Sequence, residues 1–166
     1  MKEINNKLKI LLIVMSSLFV VYIFSSSDTT LNPISQSTSL VHPDIIVYKS
    51  ATCGCCDDWI DHLEDNNFIV DTYNKDNMNL AKLQLGGVPR NLQSCHTAKV
   101  GDYLVEGHVH AELITKILKE KPSIKGLAVP GMPMGSPGME GPRNDPYDVL
   151  AFNEDGSFTI YASYNQ

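Results

Sequence analysis

Three cysteines within four residues, Cys53-Gly54-Cys55-Cys56, stand between the strand signal Ile45-Ile46-Val47-Tyr48 and a helical period carrying Trp59, Ile60 and Leu63 on one face. They are therefore expected at a strand-to-helix junction, where unpaired backbone N–H groups and the helix dipole stabilise anions. A thiol there ionises below its usual pKa of ~8.5, which makes it a nucleophile for disulfide exchange and a soft-metal ligand. Cys53 and Cys56, three apart, can share one face as a redox pair. Cys55, turned about 100° from Cys56 if both are helical, reads as a packed thiol or an outer-sphere group. A structural disulfide is the competing reading in an exported chain.

Cys95 adds a fourth thiol with His96 beside it, and His108 follows Gly107 ahead of a later helix. Three cysteines crowded into four residues make simple pairing of the four awkward, whereas metal or redox duty accounts for the crowding. Met132, Met134 and Met139 fall in the stretch Pro130 to Glu140, where Gly and Pro leave no helical face to bury them. Thioethers on such a loop coordinate Cu(I), a use that zinc does not make of them. The cysteine spacing fits no iron–sulfur motif. His42, His62 and His110 read as exposed helix or spacer residues.

The elements that must position these groups follow the order strand, helix, strand, helix, two strands, helix. After the first strand, Cys56 to Asn67 is expected to be helical, Phe68 to Tyr73 a strand, and Met78 to Leu85 a short helix stopped by Gly86-Gly87. Strands at His96–Val100 and Tyr103–Glu106 turn at Gly101-Asp102, and a helix runs from His110 to Lys121. Between Gly126 and Pro146 five Gly and five Pro exclude a regular helix or central strand and predict a long structured loop. Val149–Phe152 and Phe158–Tyr161 form a closing hairpin. Pro89 is a candidate cis-proline facing the cysteine pair.

The 166-residue chain carries 13 basic and 19 acidic residues. Residues 1–27, with Lys2, Lys7 and Lys9 ahead of the apolar run Ile10 to Phe24 and then Ser25-Ser26-Ser27, read as an export signal or N-terminal anchor. Removing them leaves 10 basic and 18 acidic residues, a charge of −8. Such a surface repels nucleic-acid phosphates and anionic lipid, so nucleic acid is excluded as a partner and the membrane is met only through an uncleaved N-terminus. Residues 28–43, rich in Ser, Thr and Asn, form a flexible spacer, and residues 44–166 one domain outside the cytoplasm, in the periplasm or cell envelope.

Four motifs, in order, resemble the CopG-like copper proteins of bacterial envelopes. They are Thr52-Cys53-Gly54-Cys55-Cys56 with Trp59, Ser94-Cys95-His96-Thr97-Ala98, Glu106-Gly107-His108-Val109, and Gly126 to Pro133 continued by Gly135-Ser136-Pro137-Gly138-Met139-Glu140. The resemblance implies an α/β, thioredoxin-like domain in which Cys, His and Met hold copper. It also implies copper resistance or handling, with interconversion of Cu(I) and Cu(II) as the activity. The expected ligands are Cys53, Cys56, Cys95 and His108 with Met132, Met134 and Met139, and His96 as an outer ligand or hydrogen-bond partner; Cys53 and Cys56 supply the electrons. Copper ions and other envelope copper-handling proteins are the expected partners. The alternatives are a thiol–disulfide oxidoreductase without metal turnover and a passive Cu(I) chaperone.

Overall fold

The computed structural model describes residues 44–166; the expected export segment at 1–27 and spacer at 28–43, with His42, lie outside the described residues. Strand β1 (Ile45–Lys49) buries Ile45, Val47 and Lys49 and leaves the residues between them half-buried, the period of two that a strand imposes. Helix α1 (Gly54–Asp65) buries Cys56, Trp59, Ile60 and Leu63 at helical spacing. Next come β2 (Val70–Asn74) and the short helix α2 (Met78–Gln84), which Asn77 caps by accepting the Leu80 N–H at 3.0 Å. A 3₁₀ turn at Arg90–Leu92 leads to β3 (Thr97–Val100), β4 (Tyr103–Glu106), α3 (Ala111–Glu120), β5 (Gly126–Ala128), β6 (Tyr147–Phe152) and β7 (Phe158–Tyr164).

The seven strands form one mixed sheet in the order β2-β1-β3-β4-β5-β6-β7. β1 with β2 and β4 with β5 are parallel, each pair joined through a helix, and the remaining neighbours are antiparallel. On one face Val47, Ala98, Val105 and Leu127 pack with Trp59 and Leu63 of α1 and Ile114 and Ile117 of α3. A smaller core of Val88, Leu92, Leu104, Ala128 and Phe152 covers the other face.

Register decides what meets what. Tyr48 pairs with Thr97, Thr97 with Glu106, and Glu106 with Ala128. The C-terminal ends of β1, β4 and β5 and the N-terminal end of β3 therefore lie side by side, so the four sequence motifs converge at one end of the sheet.

Two expectations are corrected. Gly126–Ala128 is a central strand, fully buried between β4 and β6, because the prolines begin only at Pro130; the irregular loop covers 129–146. No cis peptide occurs among the described residues, and Pro89 caps the 3₁₀ turn, separated from β3 by Arg90 to His96.

Candidate metal centre

Cys53 stands just outside α1 as its N-cap, with φ −87° and ψ 88°, so the rotation per residue of a helix does not relate it to Cys55. Cys53 and Cys56 are joined in a disulfide with Cα atoms 5.3 Å apart. Cys55 is a free, half-buried thiol whose Sγ lies 3.8 Å from Cys53 Sγ. The Sγ atoms of Cys53, Cys55, Cys56 and Cys95 all lie within 4.8 Å of one another. Cys55, expected as a packed thiol or an outer-sphere group, thus lies within the sulfur group.

Cys95 is also a member of a second group, with His96 and His108. Its Sγ lies 3.3 Å from His96 Nδ1 and 3.4 Å from His108 Nε2. Both imidazoles are fully buried, so neither faces solvent. His108 Nδ1 lies 2.7 Å from the Pro137 carbonyl, which only accepts, so Nδ1 carries the proton and Nε2 turns a lone pair toward Cys95. His96 packs against Trp59 with ring centroids 4.3 Å apart and the planes tilted by 33°, and its Nε2 has no hydrogen-bond partner among the described residues. The indole is itself pinned by donating from Nε1 to the Val109 carbonyl at 2.9 Å.

Burial governs the protonation of this group. It lowers the pKa of His96 well below the usual imidazole value, reinforced by the charges of His108 and Lys82, and it lowers that of His108 against the opposing Pro137 carbonyl. Neutral imidazoles with free lone pairs are the form that binds metal. Burial, then the neighbouring Cys55, pushes the Cys95 thiol up to about 11. Cys95 is thus a protonated thiol at neutral pH.

The methionine loop is fastened over these groups by its backbone. Pro137 meets His108, Gly131 accepts from the Ser94 hydroxyl, and Gly138 (φ +76°) lies so close to α1 that a Cβ there would stand 2.6 Å from Trp59 N. Gly107 (φ +69°) is equally constrained, since a Cβ would fall 2.5 Å from the Val129 carbonyl. Met132 is 52% exposed, Met139 is half-buried, and Met134 is half-buried with its methyl against Gly141.

His62 and His110 are half-buried, not exposed. His62 Nε2 accepts the Ala111 N–H at 3.1 Å, capping α3 from a different helix, while His110 stacks on Tyr164 and lies 2.7 Å from the Tyr147 hydroxyl. Ser94 and Glu106 stand in the four sequence motifs but receive no role there, and Lys82 is passed over; all three lie beside the Cys95 group. The one signal for Lys82 is a charge among apolar helix residues.

Residues 92–139 match the family described as "Protein of unknown function, DUF411". Among curated proteins none matches the chain. A solved structure titled "Copper resistance protein copG- Form 2" is 47% identical, with a TM-score of 0.68, over 72% of this chain and 96% of that one. Its counterpart "Form 1" is 46% identical, with a TM-score of 0.69, over 75% of this chain and 100% of that one.

Proposed function

The chain belongs to the CopG family of copper resistance proteins, and on that premise we propose that it binds copper where its sulfur and imidazole groups meet and interconverts Cu(I) and Cu(II). The observation that carries this reading is the Cys95 sulfur, shared between a group of four sulfurs and a pair of buried imidazoles. Thiolate and imidazole together form a soft donor set suited to Cu(I), and thioethers from Met132, Met134 and Met139 extend it. The domain is read as thioredoxin-like on the strength of its β1-α1-β2 unit, continued by antiparallel β3 and β4 and by α3, with the redox pair at the first strand-to-helix turn. Export to the periplasm or envelope rests on the N-terminal sequence, and other envelope copper proteins are the natural donors and acceptors of the ion.

In the proposed reaction the Cys53 and Cys56 thiols close into a disulfide, releasing two protons to solvent and two electrons. Each electron reduces one Cu(II) to Cu(I). The disulfide form keeps Cys55, Cys95, His96 and His108 as donors for the product. An external dithiol reductant restores the pair.

The test follows copper oxidation state and thiol alkylation in the same samples. Reduced protein mixed with Cu(II) should yield about two Cu(I) for each Cys53–Cys56 disulfide formed, as a two-electron couple requires. Met132→Leu with Met139→Leu should weaken Cu(I) binding yet leave the stability of the metal-free protein within about 1 kcal/mol, because Leu conserves volume. Rapid disulfide reduction indifferent to copper would favour the metal-free oxidoreductase, and binding without change of oxidation state the passive chaperone.

A pH dependence follows from Cys95. Its thiol, pushed up to about 11, must lose its proton to bind, so metal binding releases a proton and strengthens as pH rises. Cu(I) affinity in chelator competition should climb by roughly tenfold per pH unit between about pH 6 and 9 for each proton released. A flat profile would remove Cys95 from the ligand set.

A further inference from the structure

Glu106 is fully buried and Lys82 is 3% exposed, yet the proposed chemistry uses neither. Lys82 Nζ pairs with the Glu106 carboxylate and donates to Thr97 Oγ1 at 2.8 Å, and the Thr97 hydroxyl donates in turn to Glu106 Oε2. Glu106 Oε1 also accepts the backbone N–H of Ser94 at 2.5 Å. Lys82 comes from α2, on the sheet face opposite the one where Ala98 and Val105 pack with Trp59. The network therefore grips from one side two strand ends whose imidazole, His96, packs against Trp59 at the other.

Stability is a weak reason for such a pair, since apolar residues of similar volume in its place are often neutral or stabilising. What the pair holds is more specific. Thr97 and Glu106 form the last rung of the β3–β4 ladder, and Gly107 N–H to His96 O at 3.1 Å continues it. The carboxylate reaches one step further, onto the amide of Ser94. Cys95 is thereby fastened on both sides, and His108 lies two residues beyond Glu106 on the other strand end.

We propose that Glu106, braced by Lys82 and Thr97, is the positioning residue that fixes Cys95 Sγ between His96 Nδ1 and His108 Nε2 and so sets the Cu(I) affinity of that group; the affinity part rests on the copper reading above. Glu106 acts through the Ser94 amide and is not itself a ligand.

Two double variants of the full chain separate positioning from folding. Lys82→Met/Glu106→Gln removes both charges and keeps an oxygen for the Ser94 N–H, whereas Lys82→Met/Glu106→Leu removes that acceptor at similar volume. The readouts are Cu(I) affinity by chelator competition and, in reduced metal-free protein, the alkylation rate of Cys95 relative to Cys55. The glutamine double variant should stay within about threefold of the parent, and the leucine one should lose about 10–100-fold in affinity, the range for groups that orient ligands. Its Cys95-to-Cys55 alkylation ratio should also shift severalfold. Identical behaviour of the two double variants in both readouts would overturn the proposal and leave the network purely structural. A parent protein that fails to hold Cu(I) would sink the copper reading instead, and the metal-free alkylation ratio would still decide the positioning. If the leucine variant does not fold, Thr97→Val, which removes one brace of the carboxylate, replaces it; an unchanged alkylation ratio there would equally overturn the assignment.

Discussion

Cys95→Ser is expected to lower Cu(I) affinity by more than ~100-fold, beyond the loss typical of outer-sphere changes, while Cys53 remains reactive toward a small disulfide. The size of the effect follows from connectivity. Cys95 Sγ is the atom common to the sulfur group and the imidazole pair, so its removal breaks both sets at once. A serine hydroxyl neither ionises near neutral pH nor offers the polarisable sulfur that Cu(I) selects. Cys55→Ser, which alters the sulfur group alone, should cost less. The Cys53–Cys56 couple stays intact because its partners, the N-cap of α1 and a residue of its first turn, are held together by the helix start and do not depend on Cys95. Chelator competition gives the affinities, and thiol–disulfide exchange with a small disulfide gives the reactivity. A Cys95→Ser protein binding Cu(I) within threefold of the parent would show that the shared sulfur is not a ligand.

Much of this arrangement is legible in the sequence because it depends on short-range pattern. The apolar run Ile45-Ile46-Val47-Tyr48, the helical period carrying Trp59, Ile60 and Leu63 and the helix expected from His110 to Lys121 each announce one element, and all three form. Residues 126–128 are misread because composition was averaged over a stretch in which the prolines begin later. Cys55 and Cys56 both lie in α1, so the rotation between them holds, but it says nothing of Cys53 outside the helix or of Cys95 on another element, whose sulfurs close on Cys55. The role of Glu106, a residue of a sequence motif, and its pairing with Lys82 are illegible for a different reason. Each of the two residues is an ordinary charged one in its own element, and only the pairing of β3 with β4 and the packing of α2 bring the two together beside Ser94. His62 likewise looks like a surface helix residue until the start of α3 is placed against it. Long-range register thus carries the part of the site that local pattern cannot.

Gly138→Ala should release the methionine loop and reduce Cu(I) affinity by about 10–100-fold, the range for groups that orient ligands. A Cβ at this position would lie 2.6 Å from Trp59 N and 2.9 Å from the Cys55 carbonyl, both backbone atoms of α1 that cannot swing aside. The positive φ of +76° adds about 1–2 kcal/mol of strain for any residue with a Cβ. Strain and clash are separable, because Gly131 has nearly the same φ, +72°, with nothing within 4 Å of its Cβ position. Gly131→Ala therefore meets the strain without the collision, and the difference between the two variants isolates the contact of the loop with α1. Losing that contact frees Pro137 from His108 Nδ1, so the imidazole loses the acceptor that holds Nε2 toward Cys95. Metal-free stability should change little between the two variants, since the hydrophobic core draws from the loop only Val129, at its start. Chelator competition on both proteins, with thermal unfolding of the metal-free forms as the control, decides the matter. Equal affinities for Gly138→Ala and Gly131→Ala would mean that the loop packs on α1 without contributing to the copper site.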